Sequence, residues 1–400
     1  MTLESELITA GGRSDSGLAW PVMVLDGGLG TTLEDTFQRD ISTPLWSAKP
    51  IEDDPEVVIA AHLAFLHAGA QVILTATYQC AFGTFKRAGY TQEDAVRIMR
   101  RAVQLAAEAR RRFISEQNGS DQRENLKDIK IALSLGPFGG TLSPTQEFDG
   151  CYPPPYGPKE FVAGGANQNA FDDSEEGRAK EQVAVDALNS FHLERLRMFS
   201  EDPETWTAID YLAFETVPLK REAVAIRKAM QALNGELGRD GKNTKPWWIT
   251  TVWPEGKLPE ERRHGGEKVQ IGEIVEATVQ STGEQQGVYL GVPWGIGINC
   301  TDPQFLDQLL TELTDAVEKI HGRDNGCAIW LVAYPNRGVV YDIGTRTWTQ
   351  TREDGNEWAI RLADVTARQM QRGIWKGLLV GGCCKTGPEE IVKLAEKMQT

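Results

Sequence analysis

The sequence is poor in cysteine and histidine, and it has no long apolar run. Its 400 residues include six cysteines and five histidines, and the cysteines are scattered along the chain. A secreted scaffold held by disulfides would carry a denser cysteine framework, so free or metal-bound thiols in a reducing compartment are the better interpretation. No apolar run approaches the roughly 20 residues needed to cross a bilayer. We therefore expect neither a disulfide framework nor a membrane segment.

Positive charge is also scarce. Lys and Arg total 42 against 57 Asp and Glu, and the formal net charge is −15. The resulting field repels polyanions, which argues against nucleic acid and against an anionic membrane as partners. The first residues are acidic where a secretory signal would be basic, and they lack an apolar core. The expectation is a cytoplasmic protein that is not exported.

The chain does contain short apolar runs that alternate with longer helical stretches. Eight runs are strand candidates, and most of them are too continuously apolar to be half-exposed, which is typical of strands covered on both faces. They are Val22–Leu25, Gln71–Thr75, Ile129–Leu135, Tyr211–Phe214, Trp247–Val252, Gly295–Ile298, Ala328–Ala333 and Gly377–Val380. Strict alternation with helices predicts a mixed α/β fold, a closed (β/α)8 TIM barrel. A doubly wound open sheet is the alternative, because spacing alone does not show closure.

Seven helical patterns lie between these runs. They are Pro55–Ala68, Glu93–Glu116, Ala179–Phe199, Lys220–Leu233, Pro303–His321, Glu357–Gln371 and Pro388–Lys397. Several begin with proline directly after a capping residue, which matches the chemistry of a helix start. A single barrel domain over residues 19–400 would hold all of them, with an irregular insertion at about 151–177 that is rich in proline, glycine and acidic residues. Residues 1–18 lack periodicity and are expected to form a flexible tail.

Three cysteines stand where two of the predicted strands end. Cys300 follows one apolar run, and the adjacent Cys383 and Cys384 follow another. Because functional side chains emerge at the C-terminal ends of barrel strands, these thiols should meet. Three thiolates favour zinc and leave its fourth position open. Buried packing and a vicinal Cys383–Cys384 disulfide are the alternatives, whereas Cys80 and Cys327 are expected to be core residues.

A zinc ion with three thiolate ligands is electron-rich and therefore a weak Lewis acid for activating water. Such a site is better suited to holding a fourth ligand as a nucleophilic thiolate, because metal binding removes the thiol proton. The chemistry that this favours is alkyl transfer to sulfur. A zinc hydrolase or dehydrogenase should have histidine or carboxylate ligands, and none of the five histidines lies in a suitable strand-end motif. A non-catalytic zinc or thiol-sensing barrel protein is the other alternative.

Two carboxylates also follow predicted strands. Asp26 comes after the first strand and Glu215 after the fourth. A carboxylate at the end of a buried strand needs a cationic partner or hydrogen bonds, so the two together could bind an ammonium group. A turn role for Asp26, which precedes two glycines, is the plainer alternative. These glycines indicate a dinucleotide site only weakly, because Leu33 stands where the third glycine of GxGxxG would be.

Taken together, these residues resemble the homocysteine S-methyltransferase family. The resemblance covers residues 20 to 398, and the paired Gly-Ile-Asn-Cys and Gly-Gly-Cys-Cys motifs are highly specific. The matching segments are Asp26–Glu34, Leu45–Ala48, Ala68–Ala70, Thr75–Tyr78, Glu215–Thr216, Gly297–Cys300, Tyr334–Asn336 and Gly381–Cys384. The resemblance implies that Cys300, Cys383 and Cys384 bind Zn²⁺, with the thiol of L-homocysteine completing the tetrahedron. It also implies that Asp26 and Glu215 bind the amino group of homocysteine.

The methyl donors of this family are cationic, except for methylfolate. Trp46 and Tyr78 are candidates for a cation–π contact with such a donor, worth about 0.5–2 kcal/mol each, and rim packing is their alternative role. Asn299 and Asn336 are further candidate substrate contacts at strand ends. In the loop after the third strand, Phe148 stands where the family pattern has tyrosine, and this departure bears on the donor.

The layout of the chain is most similar to the short branch of the family, which uses S-methylmethionine or S-adenosylmethionine. We expect no extra domain for folate or cobalamin. The implied reaction is zinc-dependent methyl transfer from a sulfonium donor to L-homocysteine, giving methionine. Betaine–homocysteine methyltransferase and selenohomocysteine or selenocysteine methyltransferase are the alternatives within the family. The sequence does not predict an oligomeric state.

Overall fold

The architecture is a parallel eight-stranded barrel, seen in a computed structural model that describes residues 20–41, 43, 45–117, 129–280, 290–322, 328–342, 347–349 and 354–399. The first seven barrel strands are β1 (Val22–Val24), β2 (Val72–Leu74), β3 (Lys130–Leu135), β4 (Tyr211–Val217), β5 (Trp247–Thr251), β6 (Gly295–Asn299) and β7 (Trp330–Tyr334). A separate antiparallel hairpin follows, formed by β8 (Val340–Asp342) and β9 (Thr347–Thr349). The last barrel strand is β10 (Leu378–Val380). All eight predicted strands are confirmed, and the hairpin was not predicted.

The strands close into a ring. Their order is β1, β10, β7, β6, β5, β4, β3 and β2, and neighbouring strands are parallel. Between β1 and β2 a parallel bridge joins Leu25 to Val72, and the Gln71 N–H donates to the Val24 carbonyl over 2.7 Å. This closure confirms the predicted TIM barrel, and the open doubly wound sheet is wrong.

The interior of the barrel is filled by alternate strand side chains, which include Leu25, Leu74 and Val332. Aromatic rings gather where strands begin. The ring of Trp294, just before β6, stacks on Trp330 of β7 with centroids 4.5 Å apart. Because the N-terminal end of the barrel is filled in this way, the polar residues that follow the strands line the opposite, C-terminal end.

Helices surround the barrel. Within the described residues they are α1 (Leu29–Asp35), α2 (Pro50–Asp53), α3 (Pro55–His67), α4 (Phe82–Arg87), α5 (Gln92–Gln117), α6 (Glu175–Ser200), α7 (Pro203–Ala208), α8 (Lys220–Arg239), α9 (Ile271–Val279), α10 (Leu306–His321), α11 (Gly355–Met370) and α12 (Pro388–Met398). All seven predicted helices are present, whereas α1, α2, α4, α7 and α9 were not predicted. At the start of α3 the Asp54 carboxylate accepts the Val57 N–H over 3.4 Å, as expected of a capping residue before proline. None of the helices described here is both long enough and apolar enough to cross a bilayer.

A long irregular segment connects β3 to α6. It contains one short 3-10 turn, Phe138–Thr141, and no strand. The Tyr152 hydroxyl donates to Glu222 Oε2 over 2.7 Å, and Asn169 Nδ2 donates to the Asp149 carbonyl over 2.6 Å. These hydrogen bonds fasten the segment to the barrel and to itself.

Two expectations concern residues outside the described ranges. The flexible tail over residues 1–18 and the core position of Cys327 both lie outside the described residues. The limits of the barrel domain, 19–400, and of the insertion at about 151–177 stay predictions.

Candidate active site

The three cysteines at the strand ends lie together at the C-terminal end of the barrel. Cys300 follows β6, while Cys383 and Cys384 follow β10. Their sulfur atoms all lie within 4.8 Å of one another, and all three residues are partly exposed. In the part of the chain that the structure describes, no second group of three His, Cys, Asp or Glu side chains has metal-binding spacing. The sequence prediction that these thiols meet is therefore confirmed in geometry.

Two of the three sulfurs are bonded to each other. A disulfide joins Cys300 to Cys383, whose Cα atoms are 5.5 Å apart. Cys384 keeps a free thiol, with its Sγ 3.9 Å from Cys383 Sγ. The vicinal Cys383–Cys384 disulfide considered from the sequence is thus wrong, because the strand ends place Cys300 within bonding reach of Cys383. Three thiolates are available only in the reduced protein.

Backbone hydrogen bonds fix where these cysteines stand. The Cys300 N–H donates to the Tyr334 carbonyl over 3.2 Å, and the Cys383 N–H donates to the Pro335 carbonyl over 2.9 Å. Both cysteines are therefore attached to the end of β7, the strand between β6 and β10. Cys300 also has a φ of 47°, a left-handed conformation that costs a non-glycine residue about 1–3 kcal/mol. The surrounding structure thus holds Cys300 in an unfavourable backbone conformation that orients its side chain.

Two glycine-containing loops pack against each other beside the thiols. The Gly28 N–H donates to the Thr386 carbonyl over 2.9 Å, and the Gly382 N–H donates to the Asp26 carbonyl over 3.0 Å. A Cβ on Gly28 would lie 2.5 Å from the Cys383 carbonyl oxygen, so a larger residue would separate the loops. The glycines after β1 therefore serve loop packing, which explains their presence without a dinucleotide.

Asp26 is fully buried where β1 ends. Its Oδ2 accepts the Leu74 N–H over 2.8 Å, whereas its Oδ1 has no hydrogen-bond partner. Burial raises the pKa of Asp26 well above its ordinary value, and the charge of Glu215 adds to this effect. A buried carboxylate oxygen without a partner is costly, and an ammonium ligand would satisfy it.

Glu215 is the second buried carboxylate and lies within β4, near the C-terminal end of the strand. Its Oε1 accepts a hydrogen bond from the Ser134 hydroxyl. Burial raises the pKa of Glu215 to about 7, although hydrogen bonds from Ser134 and Tyr334 act in the opposite direction. Since its charge also acts on Asp26, the structure brings the two predicted carboxylates together. Two carboxylates that resist ionisation in one site form a ready environment for a cation.

Asn299 lies at the end of β6 and is fully buried. The Thr216 N–H donates to Asn299 Oδ1 over 2.8 Å, and Asn299 Nδ2 donates to Thr216 Oγ1 over 2.8 Å. Thr216 has a φ of 58°, so these bonds hold a left-handed residue directly after Glu215. The amide of Asn299 is therefore engaged with the backbone that orients Glu215.

Asn336 has a local role as well. Its Oδ1 accepts the Gly338 N–H over 2.9 Å, and its backbone carbonyl accepts the Trp358 indole N–H over 3.0 Å. The Asn336 N–H in turn donates to the Thr301 carbonyl over 3.1 Å. These bonds shape the loop after β7.

The two aromatic residues meet at the same end of the barrel. The rings of Trp46 and Tyr78 contact edge to face, with centroids 6.3 Å apart and an angle of 66°. Burial of the phenol raises the pKa of Tyr78 well above its ordinary value, and the charge of Cys384 contributes to that rise. The phenol thus lies near the thiol cluster, as a donor-binding residue would.

Two residues of this site did not emerge from the sequence. Arg195 is buried on α6, and its guanidinium donates to the Gly136 carbonyl over 2.7 Å and to the Tyr78 carbonyl over 3.3 Å. Glu147 is also buried, and its Oε2 has no hydrogen-bond partner. Neither follows a strand directly, so reading the strand ends missed both.

A family model described as homocysteine S-methyltransferase matches residues 23–398. The chain belongs to the homocysteine S-methyltransferase family. The resemblance drawn from the motifs is confirmed, and with it the assignment to a family of methyltransferases. The match includes all of the barrel strands except Val22, the first residue of β1, and it includes every site residue described above.

Curated relatives in this family share about a quarter of their residues with the chain. Homocysteine S-methyltransferase 1 of Arabidopsis thaliana is 28% identical over 383 residues, covering 94% of this chain and 93% of the relative. Selenocysteine Se-methyltransferase of Brassica oleracea var. italica is 27% identical over 377 residues, covering 94% and 88%. The alignments thus cover most of the length of each protein.

Among solved structures, the homocysteine methyltransferase MmuM of Escherichia coli in its metallated form is similar to this chain. The TM-score is 0.63 at 22% sequence identity, with 95% of this chain and 97% of that chain covered. An oxidized form of the same protein also gives a TM-score of 0.63, at 23% identity. This likeness supports the barrel fold of the family member described here.

The donor set of this family member fits a zinc ion. Zinc–sulfur bonds of about 2.3 Å in a tetrahedron place two sulfurs about 3.8 Å apart. The Cys383 and Cys384 sulfurs are 3.9 Å apart, and the three ligand atoms stay within 4.8 Å of one another. The reduced cysteines could therefore supply three ligands and leave the fourth position to a substrate.

Proposed function

We propose that this protein is a zinc-dependent methyltransferase that moves a methyl group from a sulfonium donor to the thiol of L-homocysteine, giving methionine. S-methylmethionine and S-adenosylmethionine are the proposed donors. The observation that carries the proposal is the cluster of three cysteine sulfurs at the C-terminal end of the barrel. The name of the Arabidopsis relative, homocysteine S-methyltransferase 1, supports homocysteine as the acceptor.

Cys300, Cys383 and Cys384 would hold the Zn²⁺ in the reduced protein. Bound zinc supplies positive charge that lowers the pKa of a thiol in the fourth position and leaves its sulfur nucleophilic. MmuM has been solved in a metallated form, which supports a bound metal in this protein. Because all three thiols must be reduced, we also place the protein in the cytoplasm.

The chain's own residues would orient the two substrates. Asp26 and Glu215 would bind the ammonium group of homocysteine and so direct its thiol toward the cysteines. Trp46 and Tyr78 would face the sulfonium through cation–π contacts. As the new sulfur–carbon bond forms, the old one breaks and its electron pair stays on the departing sulfur. A neutral sulfide leaves, so positioning in line with the methyl group is the main requirement and no general acid is needed.

A donor panel tests this function. The reduced, zinc-loaded protein is incubated with homocysteine and S-methylmethionine, S-adenosylmethionine, betaine or methylfolate, and methionine is measured. We expect methionine from a sulfonium donor and none from betaine or methylfolate. Zinc-loaded protein that binds homocysteine in a titration but transfers no methyl group would instead support the thiol-sensing alternative.

Selenocysteine is a second candidate acceptor. The Brassica relative is named a selenocysteine Se-methyltransferase, and it aligns with 94% of this chain. Selenocysteine carries the same α-ammonium group as homocysteine, and its selenolate, like a thiolate, is a soft ligand that zinc can bind. Including selenocysteine and selenohomocysteine in the panel, at equal concentration with homocysteine, measures the preference of the site.

Replacing Asn299 with alanine tests how Glu215 is positioned. The change removes both hydrogen bonds to Thr216, and the loss of about 1–3 kcal/mol corresponds to a roughly 10- to 100-fold higher KM for homocysteine. Zinc content should stay close to that of the wild type. Asn167→Ala is the control, with an expected change below about threefold, since the Asn167 amide makes both of its hydrogen bonds to Val162 within its own loop. Equal KM values for the Asn299 variant and wild type would contradict this role.

A further inference from the structure

A third buried carboxylate, Glu147, lies at the C-terminal end of the barrel and has no role in the proposed methyl transfer. Glu147 is 7% exposed, and its Oε2 has no hydrogen-bond partner. Burial raises the pKa of Glu147 to about 7, and the charge of Asp149 adds to the rise. A buried carboxylate with an unpaired oxygen destabilises the fold, so its presence points to a ligand that completes it.

Backbone hydrogen bonds hold Glu147 in place against the aromatic pair. The Gln146 N–H donates to the Gly139 carbonyl over 2.9 Å, and the Gly150 N–H donates to the Gln146 carbonyl over 2.9 Å. The turn that carries Glu147 is therefore fixed on both sides. The neighbouring Gly140 packs on the Tyr78 ring, where an added Cβ would lie 3.3 Å from Tyr78 Cε1. The carboxylate is thus carried by a rigid loop that rests on Tyr78.

The surroundings of Glu147 differ from those of the other two carboxylates. Glu147 lies on the turn that bonds to Gly139, beside Gly140, which packs on the Tyr78 ring. Asp26 instead accepts a hydrogen bond from Leu74 of β2, and Glu215 accepts one from Ser134 of β3. The carboxylates therefore form two groups, with Asp26 and Glu215 in one and Glu147 on the side of Tyr78. Two groups suit two substrates that each carry a cation.

We propose that Glu147 binds the α-ammonium group of the sulfonium donor, while Asp26 and Glu215 serve the acceptor. This inference rests on the proposed function. S-methylmethionine and S-adenosylmethionine carry both a sulfonium and an ammonium group, so a donor whose sulfonium faces Tyr78 can extend its ammonium to the unpaired Glu147 Oε2. Betaine has a quaternary nitrogen without an N–H and gives this oxygen no hydrogen bond. Glu147 thereby selects donors of the amino acid type.

The experiment compares two donors in the Glu147→Gln variant of the zinc-loaded protein. One is S-methylmethionine, and the other is its analogue without the amino group, 4-(dimethylsulfonio)butanoate. With S-methylmethionine, kcat/KM should fall roughly 10- to 100-fold through KM, because a charge-assisted hydrogen bond is lost. With the analogue, kcat/KM should change less than about twofold, and the KM for homocysteine should not change. Glu160→Gln removes an exposed carboxylate from the same segment and is the matched control.

Other outcomes overturn the assignment in distinguishable ways. An equal loss with both donors would mean that Glu147 serves the sulfonium or the loop itself, and a raised KM for homocysteine would place it on the acceptor. If the wild type transfers no methyl group from either donor, the proposed function fails. Calorimetric binding of S-methylmethionine to wild type and variant then still decides the role of Glu147, since equal affinities would refute it.

Discussion

Replacing Cys384 with serine should remove the bound zinc and lower methyl transfer to homocysteine by more than about 100-fold. Substitutions of residues that only support a metal ligand typically cost 10- to 100-fold in metal affinity, and loss of a ligand itself costs more. Serine is nearly the same size as cysteine, but its hydroxyl is a poor ligand for zinc beside two thiolates. The effect should therefore come from ligand chemistry and leave the packing of the barrel mouth intact.

Zinc content is measured by atomic absorption after dialysis under reducing conditions, next to kcat/KM with S-methylmethionine. Cys80→Ser is the matched control, because Cys80 is buried with its Sγ 3.8 Å from the Ala76 carbonyl and lies outside the thiol cluster. This control should keep one equivalent of zinc and most of the activity. A Cys384→Ser protein that retains both zinc and activity would show that the metal site is elsewhere.

Replacing Glu215 with glutamine should weaken homocysteine binding and make the protein more stable above pH 7. The carboxylate that would pair with the substrate ammonium becomes neutral, so the KM for homocysteine should rise by roughly 10- to 100-fold, as for loss of a hydrogen bond between charged groups. The stability of the variant should instead increase. Burial raises the pKa of Glu215 to about 7, so its ionised form is unfavourable in the folded protein. This carboxylate, which would bind substrate, therefore lowers the free energy of unfolding.

The raised pKa of Glu215 determines how the stability of the wild type changes with pH. At pH 4 Glu215 is largely protonated in the folded protein and near its own pKa in the unfolded chain, so wild type and variant should differ little. As the pH rises through 7, the wild type loses the stability that the raised pKa provided. A rise from 4.5 to about 7 corresponds to about 3 kcal/mol by which the variant should exceed the wild type at pH 8. Urea unfolding followed by tryptophan fluorescence at both pH values measures it.

Glu260→Gln provides the contrast for this experiment. Glu260 is also buried, and burial raises its pKa as well, but it forms an ion pair with Arg221 over 3.0 Å that acts in the opposite direction. Its removal leaves Arg221 buried without that partner, and breaking a buried pair in this way costs about 3–5 kcal/mol. The two glutamine variants should thus shift stability at pH 8 in opposite directions. A Glu215→Gln protein that is less stable than wild type at pH 8 would contradict the cost assigned to this carboxylate.

Sequence patterns predicted most of the fold because most residues of the barrel strands are apolar. Both faces of a strand such as β4 are covered, and that coverage leaves a continuous signal. Helix starts were also predictable, since Asp54 acts locally on the next turn of the chain. Five helices of at most 9 residues and the hairpin of β8 and β9 were missed, because elements this short carry little periodic signal.

The site was predictable only where chemistry directly follows a strand. Cys300 and Cys384 carry that signal, since the barrel brings strand ends together. The partner of Asn299 could not be read, because Thr216 is 83 residues away and the pair meets only after the barrel closes. The same holds for Glu147, whose burial arises from a loop that folds over Tyr78. Tertiary contacts, which spacing does not reveal, decide these roles.

Strained backbone at the mouth has a consequence for protein engineering. Trp46, Thr216, Cys300 and Lys385 all have φ values between 45° and 61°. Glycine would relax each of these positions, so a search for heat resistance would favour replacing Lys385 or Thr216. The gain in thermal stability would come with a more mobile backbone beside the thiols and carboxylates, and kcat would fall. Stabilising substitutions are better placed on the outer surface. Gly235→Ala in α8 is an example, because the added methyl group meets open space.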